Sequence, residues 1–308
     1  MNARRRWWIA GIAAVGLALA LAACGEEAPD PTPTHAGPTP APSLAPSPTV
    51  DPVLPSGDGE GGAVIGASNP TQAGLAAEGQ PDQDLPTNTP PPTQALLPMT
   101  ISASDGLIIQ ATYYSAPIRP APGVLLVSME GTGREVYGAL AERLQAAGYA
   151  VLAVDLRGYG DTGGDPDWTL APADVRDALD MLADFPGVNR GQLAVVGAST
   201  GANLALNTCA DFAGCNAAVL LSPGLDYHGI TTAGAMARMG QRAVLIVAGE
   251  NDGNNPADSI TLDSAATGDH RLEIYPNAGH GTDMLAAQPS LADGIVAWLL
   301  PRVPPPEP

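Results

Sequence analysis

Lysine is absent from this chain: all 13 basic residues are arginine, set against 32 acidic ones. Without lysine there is no Walker-type loop, whose lysine reaches the β- and γ-phosphates of a nucleotide. A formal net charge of −19 also argues against binding to nucleic acid, and against electrostatic attraction to anionic lipid. Histidine numbers four and cysteine three. So few ligand-type residues, scattered along the chain, do not make a metal site. Neither a metal nor any other cofactor is expected.

Large apolar residues are few in a long early stretch. Residues 24–96 are mostly Pro, Thr, Ser, Gly and Ala, as in "PTPTHAGPTPAPSLAPSP". Such a segment cannot bury enough surface to offset its ordering entropy, so it reads as a disordered tether with a reach of roughly 50 Å. Before it, Arg4, Arg5 and Arg6 precede an apolar run from Trp7 to Ala23, and the run ends at "LAAC". This pattern resembles a bacterial lipoprotein signal, residues 1–23, with Cys24 as the lipidated new N-terminus. An uncleaved helical anchor is the alternative, at the short limit for a bilayer span. Either reading puts the rest of the chain outside the cytoplasm and on a membrane. The acidic balance argues against attachment by charge, so attachment must come from the lipid or the helix. Cys209 and Cys215 are then close together in an oxidising compartment, and a disulfide between them is expected.

From about residue 97 to 300 the texture is that of a packed domain, and "PRVPPPEP", residues 301–308, reads as a short disordered tail. "MTISAS" and "LIIQATYYS" flank Asp105-Gly106, a hairpin signal. "GVLLVS", "YAVLAVD", "QLAVVG", "NAAVLLS" and "RAVLIVAG" are short apolar runs, as strands buried on both faces should be; "RLEIYP" reads as one more strand. Helical spacing joins Val136, Leu140 and Leu144, then Val175, Leu179 and Leu182, and finally Leu291, Ile295 and Trp298. A hairpin followed by strand–helix alternation predicts an α/β fold: a mostly parallel, doubly wound sheet with helices on both faces. Ligand sites in such sheets collect beyond the carboxyl ends of the strands.

Residues suited to catalysis fall at those ends. In "VVGASTGANLAL" Ser199 stands between a strand and a helix, with Gly197 and Gly201 two residues to either side. That is the context of a nucleophile elbow, and the N–H of Thr200 would point at a developing oxyanion. A serine hydroxyl needs a base. His35 lies in the tether, and His228 and His270 read as polar loop residues. His280 follows its own strand in "YPNAGHGTDML" and is the expected base. Asp252, in "AGENDGNNPAD", is the expected acid, with Glu250, Asp258 and Asp226 as competitors.

The motifs "GASTG", "AGENDGNNPAD" and "NAGHGTDML", with "VLAVDLRGYGDTGG" after an earlier strand, resemble the α/β-hydrolase superfamily over roughly residues 97–300. The resemblance is to lidless members related to dienelactone hydrolases and to peptidase catalytic domains. It implies a serine hydrolase of small ester, thioester or lactone substrates, working through an acyl-enzyme. A peptidase of the same fold and a non-catalytic binding domain are the alternatives. Only about twenty residues, Pro223 to Arg242, stand where many relatives insert a lid, so an open site is expected. Many relatives also carry His-Gly-x-Gly where this chain reads "SMEG". Glu130 falls at the x position, whose backbone N–H would be the second oxyanion donor. Its carboxylate either turns inward, where it would favour cationic substrates, or faces solvent or pairs with Arg134.

Overall fold

The computed structural model describes residues 96–307. The signal segment 1–23, Cys24 and the tether up to residue 95 lie outside the described residues. Leu96, assigned above to the tether, already pairs with Tyr114 and opens the first strand.

Strands β1 (Leu96–Ser102) and β2 (Ile108–Tyr114) form the expected antiparallel hairpin. Then follow β3 (Ala121–Val127), helix α1 (Gly138–Ala146), β4 (Ala150–Val154), α2 (Ala171–Asp184), β5 (Val188–Ala198), α3 (Thr200–Ala210) and β6 (Cys215–Leu221). A two-stranded ribbon, β7 (Asp226–Tyr227) and β8 (Ile230–Thr231), leads to α4 (Ala233–Met239) and β9 (Ala243–Gly249). Last come α5 (Asn255–Ala265), β10 (His270–Tyr275), α6 (Asp283–Ala287) and α7 (Pro289–Leu299). The main sheet has eight strands in the order β1-β2-β4-β3-β5-β6-β9-β10. From β4 to β10 every pairing is parallel.

The apolar runs are strands because both of their faces are covered. Leu125 and Val127 pack with α2 and α3 through Val175, Leu179 and Leu204. Val124 and Leu126 face the other way, onto α1 and α7 through Leu140, Leu144, Ile295 and Trp298. Each wholly buried leucine contributes about 1.5–3 kcal/mol relative to exposure. Alternation along β3 thus serves two cores, which is why no polar residue interrupts it.

Cys209, near the end of α3, and Cys215, at the start of β6, are joined through their sulfurs with Cα atoms 5.2 Å apart. Arg242 fills the same corner. Its guanidinium donates to the carbonyls of Cys209 at 2.6 Å and Ala210 at 2.8 Å, in the last turn of α3. The expected disordered tail is corrected at its first residues. Val303 is wholly buried beside α1 and α7, and Arg302 donates to Asp269 and to the Trp298 carbonyl, each at 2.7 Å. The proline content that suggested a tail begins in earnest only after these two anchors. Among the described residues no helix is long and apolar enough to cross a membrane.

Candidate active site

β4 lies on one side of β3 and β5 on the other, so the chain changes direction at β3 and opens a crevice above the strand ends. Register brings those ends level: Val127 pairs with Gly197, Leu221 with Ala198, and Tyr275 with Gly249. The residues that follow each strand therefore meet along one rim.

Ser199 sits on that rim between β5 and α3. Its backbone is at φ 52°, ψ −125°, a left-handed conformation that serine adopts only under constraint. The constraint is visible at both flanking glycines. A methyl group on Gly197 would come within 2.2 Å of the Gly201 carbonyl oxygen, and one on Gly201 within 2.2 Å of the Ser128 carbonyl oxygen. Only glycine lets the turn close that tightly against β3. Thr200 opens α3, so its N–H is one of the helix's unpaired first donors and carries the positive end of the helix dipole.

His280 and Asp252 are brought together. His280 Nδ1 lies 2.9 and 3.0 Å from the two carboxylate oxygens of Asp252. Among the described residues all hydrogen bonds of the imidazole are at Nδ1, which leaves Nε2 free to accept a proton. The imidazole's loop lies against the serine: a methyl group on Gly281 would stand 3.9 Å from Ser199 Cβ. Met129, after β3, closes the gap from the other side, accepting a contact from Thr282 Oγ1 at 3.5 Å. Two of the competitors for the acid are occupied elsewhere. Asp258 accepts the Leu225 N–H at 3.1 Å, Asp226 accepts the Gly229 N–H at 2.7 Å, and Glu250 is exposed. His270 is the first residue of β10, at the opposite end of the sheet from His280.

Three residues at the site were passed over in the sequence. Ser222, at φ 52° just after β6, accepts the Gly281 N–H through Oγ at 2.9 Å and so holds the loop of His280. Asn255, buried at the start of α5, donates to the Ser222 carbonyl at 3.0 Å and accepts from the Tyr227 hydroxyl at 3.0 Å. The same hydroxyl lies 3.5 Å from the Ser222 carbonyl. Burial raises the pKa of Tyr227 above its ordinary value, so the phenol stays protonated and remains a donor. Ser222 and Tyr227 also follow a strand end, and that position was the available signal. Asn255 lies in "NDGNNP", where asparagine reads as a turn former.

Ser199 itself is 7 % exposed, and residues 224–232, which carry β7 and β8, form a short strap. One expectation about the surroundings is corrected. Glu130 does not pair with Arg134; its side chain is exposed, as one of the alternatives expected, and has two other partners. Arg134 is taken by Asp155 at 2.6 Å and Asp161 at 2.9 Å. Both oxygens of Glu130 are occupied, Oε2 by His228 Nε2 at 2.8 Å and Oε1 by the Tyr159 hydroxyl at 3.2 Å.

The family described as serine aminopeptidase, S33, matches residues 122–248. An uncharacterized protein of Mycobacterium tuberculosis is 27 % identical over 232 residues, which is 67 % of this chain and 79 % of that protein. Among solved structures, a dienelactone hydrolase from Anabaena variabilis superposes with a TM-score of 0.57 at 20 % identity, covering 68 % of this chain and 99 % of that one. The Pyrococcus furiosus esterase Pf2001 gives 0.56 at 15 % identity, over 68 % and 90 %. Acetyl xylan esterase 1 from Thermoanaerobacterium gives 0.55 at 16 %, over 66 % and 83 %. The strand order, the switch at β3 and these superpositions agree: residues 96–299 have the α/β-hydrolase fold.

Proposed function

We propose that this chain is a serine hydrolase of small carboxylic esters, thioesters or lactones, with Ser199 as nucleophile, His280 as base and Asp252 as acid. The observation that carries it is the strained Ser199 elbow beside an Asp252–His280 pair whose Nε2 is free. In the first half-reaction Ser199 Oγ bonds to the substrate's carbonyl carbon while its proton passes to His280 Nε2. The carbonyl oxygen becomes an oxyanion, received by the N–H groups of Thr200 and Glu130. Collapse of this intermediate breaks the bond to the leaving group, which takes the proton from His280 and departs. Water then repeats the sequence on the acyl-enzyme and releases the carboxylic acid. Asp252 holds Nδ1–H and stabilises the imidazolium at each stage.

A fluorophosphonate tests this, because it phosphonylates only an activated serine. Labelling of the wild-type protein, mapped to the peptide that carries Ser199, is the expected result. A wild-type protein that takes no label there would remove the reading. The aminopeptidase description of the matched family is tested with an alanine p-nitroanilide beside p-nitrophenyl acetate. An aminopeptidase needs a free carboxylate for the substrate's α-amine, and both oxygens of Glu130 are occupied. Preference for the ester is therefore expected.

We infer further that the domain works outside the cytoplasm, tethered through a lipidated Cys24. The support is the run of Arg4, Arg5 and Arg6, the apolar stretch and "LAAC". Mass spectrometry of the membrane-extracted protein should find an N-terminal peptide beginning at Cys24 and carrying a diacylglyceryl group. A mature protein that retains residues 1–23 would contradict it.

A further inference from the structure

Glu130 follows β3, and His228 lies in the turn of the ribbon that follows β6. In the sheet, β3 and β6 are the two neighbours of β5. A contact between the residues after β3 and after β6 must therefore arch over the end of β5, where Ser199 stands. His228 and Glu130 make that contact at 2.8 Å. Tyr159 braces the carboxylate from one side, and Trp168 stacks flat on the imidazole with ring centres 4.3 Å apart and planes 7° apart. Four side chains from three segments, the loop after β3, the connection between β4 and α2 and the turn of the ribbon, thus form one wall. Trp168 and His228 are also part of a groove of about 490 Å³, shared with Pro172, Asn207 and Ile230.

The strap that carries His228 is anchored at both ends. The wholly buried amide of Asn203, on α3, donates to the Ile230 carbonyl at 2.8 Å and accepts the Gly224 N–H at 3.2 Å. Thr232 Oγ1 donates to the Gly224 carbonyl at 2.9 Å. His228 itself has φ 55°, so its ring is held in place by contacts rather than by backbone preference.

We propose that the Glu130–His228 bridge, backed by Trp168, is a specificity bar between Ser199 and the groove, and that it restricts the acyl group to about two to four carbons. This rests on the reading of Ser199 as the nucleophile of an ester hydrolase. A longer acyl chain meets a carboxylate and an imidazole that would each lose a partner, and apolar contact does not replace a hydrogen bond. With the bar removed, the chain runs on into the groove, along Trp168, Pro172 and Ile230.

The test compares kcat/KM for p-nitrophenyl acetate, butyrate and octanoate in the full chain, in His228→Asn and in Trp168→Ala. Asparagine tolerates the left-handed backbone but is too short to reach Glu130. The wild type should favour acetate over octanoate at least about tenfold, and His228→Asn should raise the octanoate-to-acetate ratio about tenfold. Trp168→Ala, which removes the backing, should move the ratio the same way by a smaller factor. Loss of folded protein scales both substrates equally, so it cannot imitate a changed ratio. A wild type that favours octanoate, or an unchanged ratio in both variants, overturns the bar. Fluorophosphonate labelling separates the two failures. With Ser199 labelled and the ratio unmoved, only the bar falls; with Ser199 unlabelled, the hydrolase reading falls and takes the bar with it.

Discussion

Ser199→Ala is expected to lower kcat for a short ester by about 10⁶-fold, leaving only the acceleration that bound substrate and oxyanion donors supply. The size follows from how the three side chains depend on one another. The Asp252–His280 pair has no reaction to assist once the hydroxyl is gone, and the hydroxyl is a weak nucleophile without the pair. The losses are therefore not additive: Ser199→Ala combined with His280→Ala should be about as slow as Ser199→Ala alone. Folding should be little affected, since alanine at φ 52° bears nearly the same backbone strain as the serine it replaces. Pre-steady-state mixing with p-nitrophenyl acetate should show a burst of nitrophenolate in the wild type and none in the variant. A variant that keeps a hundredth of wild-type kcat would mean that another group attacks the substrate.

The largest expected loss of stability lies behind the site, at Arg157 and Asp174. Arg157 follows β4 and is 3 % exposed; Asp174, in the first turn of α2, is 5 % exposed. They form a two-pronged pair, Nε to Oδ2 at 2.5 Å and Nη2 to Oδ1 at 2.8 Å. A further nitrogen of Arg157 donates to Asp105, on the β1–β2 turn, at 3.0 Å. One guanidinium thus ties together the hairpin, the loop after β4 and α2. Asp174→Ala leaves that guanidinium buried with only the partly exposed Asp105 as partner, so a loss of about 3–5 kcal/mol is expected. That is a large share of the 5–15 kcal/mol typical of a domain. Replacing both members, Arg157→Met with Asp174→Leu, removes the stranded charge and should recover most of the loss. Urea unfolding of the two variants decides the matter. A loss below about 1 kcal/mol in Asp174→Ala would show that water reaches the guanidinium and solvates it.

The strands, their order along the chain and the places where Ser199, Asp252 and His280 fall were legible because each is recorded locally. An uninterrupted apolar run such as "AVVGA" means a strand covered on both faces. Glycine two residues either side of a serine permits one sharp turn. An acid or a histidine just after a run lands at the rim where such sheets hold their ligands. None of these inferences needs to know which strands are neighbours. What only the tertiary structure decided are contacts that depend on neighbourhood. Residues 224–232 have no hydrophobic period, and their path is fixed at Gly224 and Ile230 by the buried amide of Asn203 on α3. The partners of Glu130 come from sites 29 and 98 residues away, joined because β5 lies between β3 and β6 in the sheet. Asn255 and Ser222 hold the loop of His280 for the same reason, and Val303 is buried although the composition around it reads as a tail. Periodicity and turn chemistry specify the backbone and which face is covered. Which polar side chain meets which is specified by the order of the strands in space, and that order appears only when the sheet has assembled.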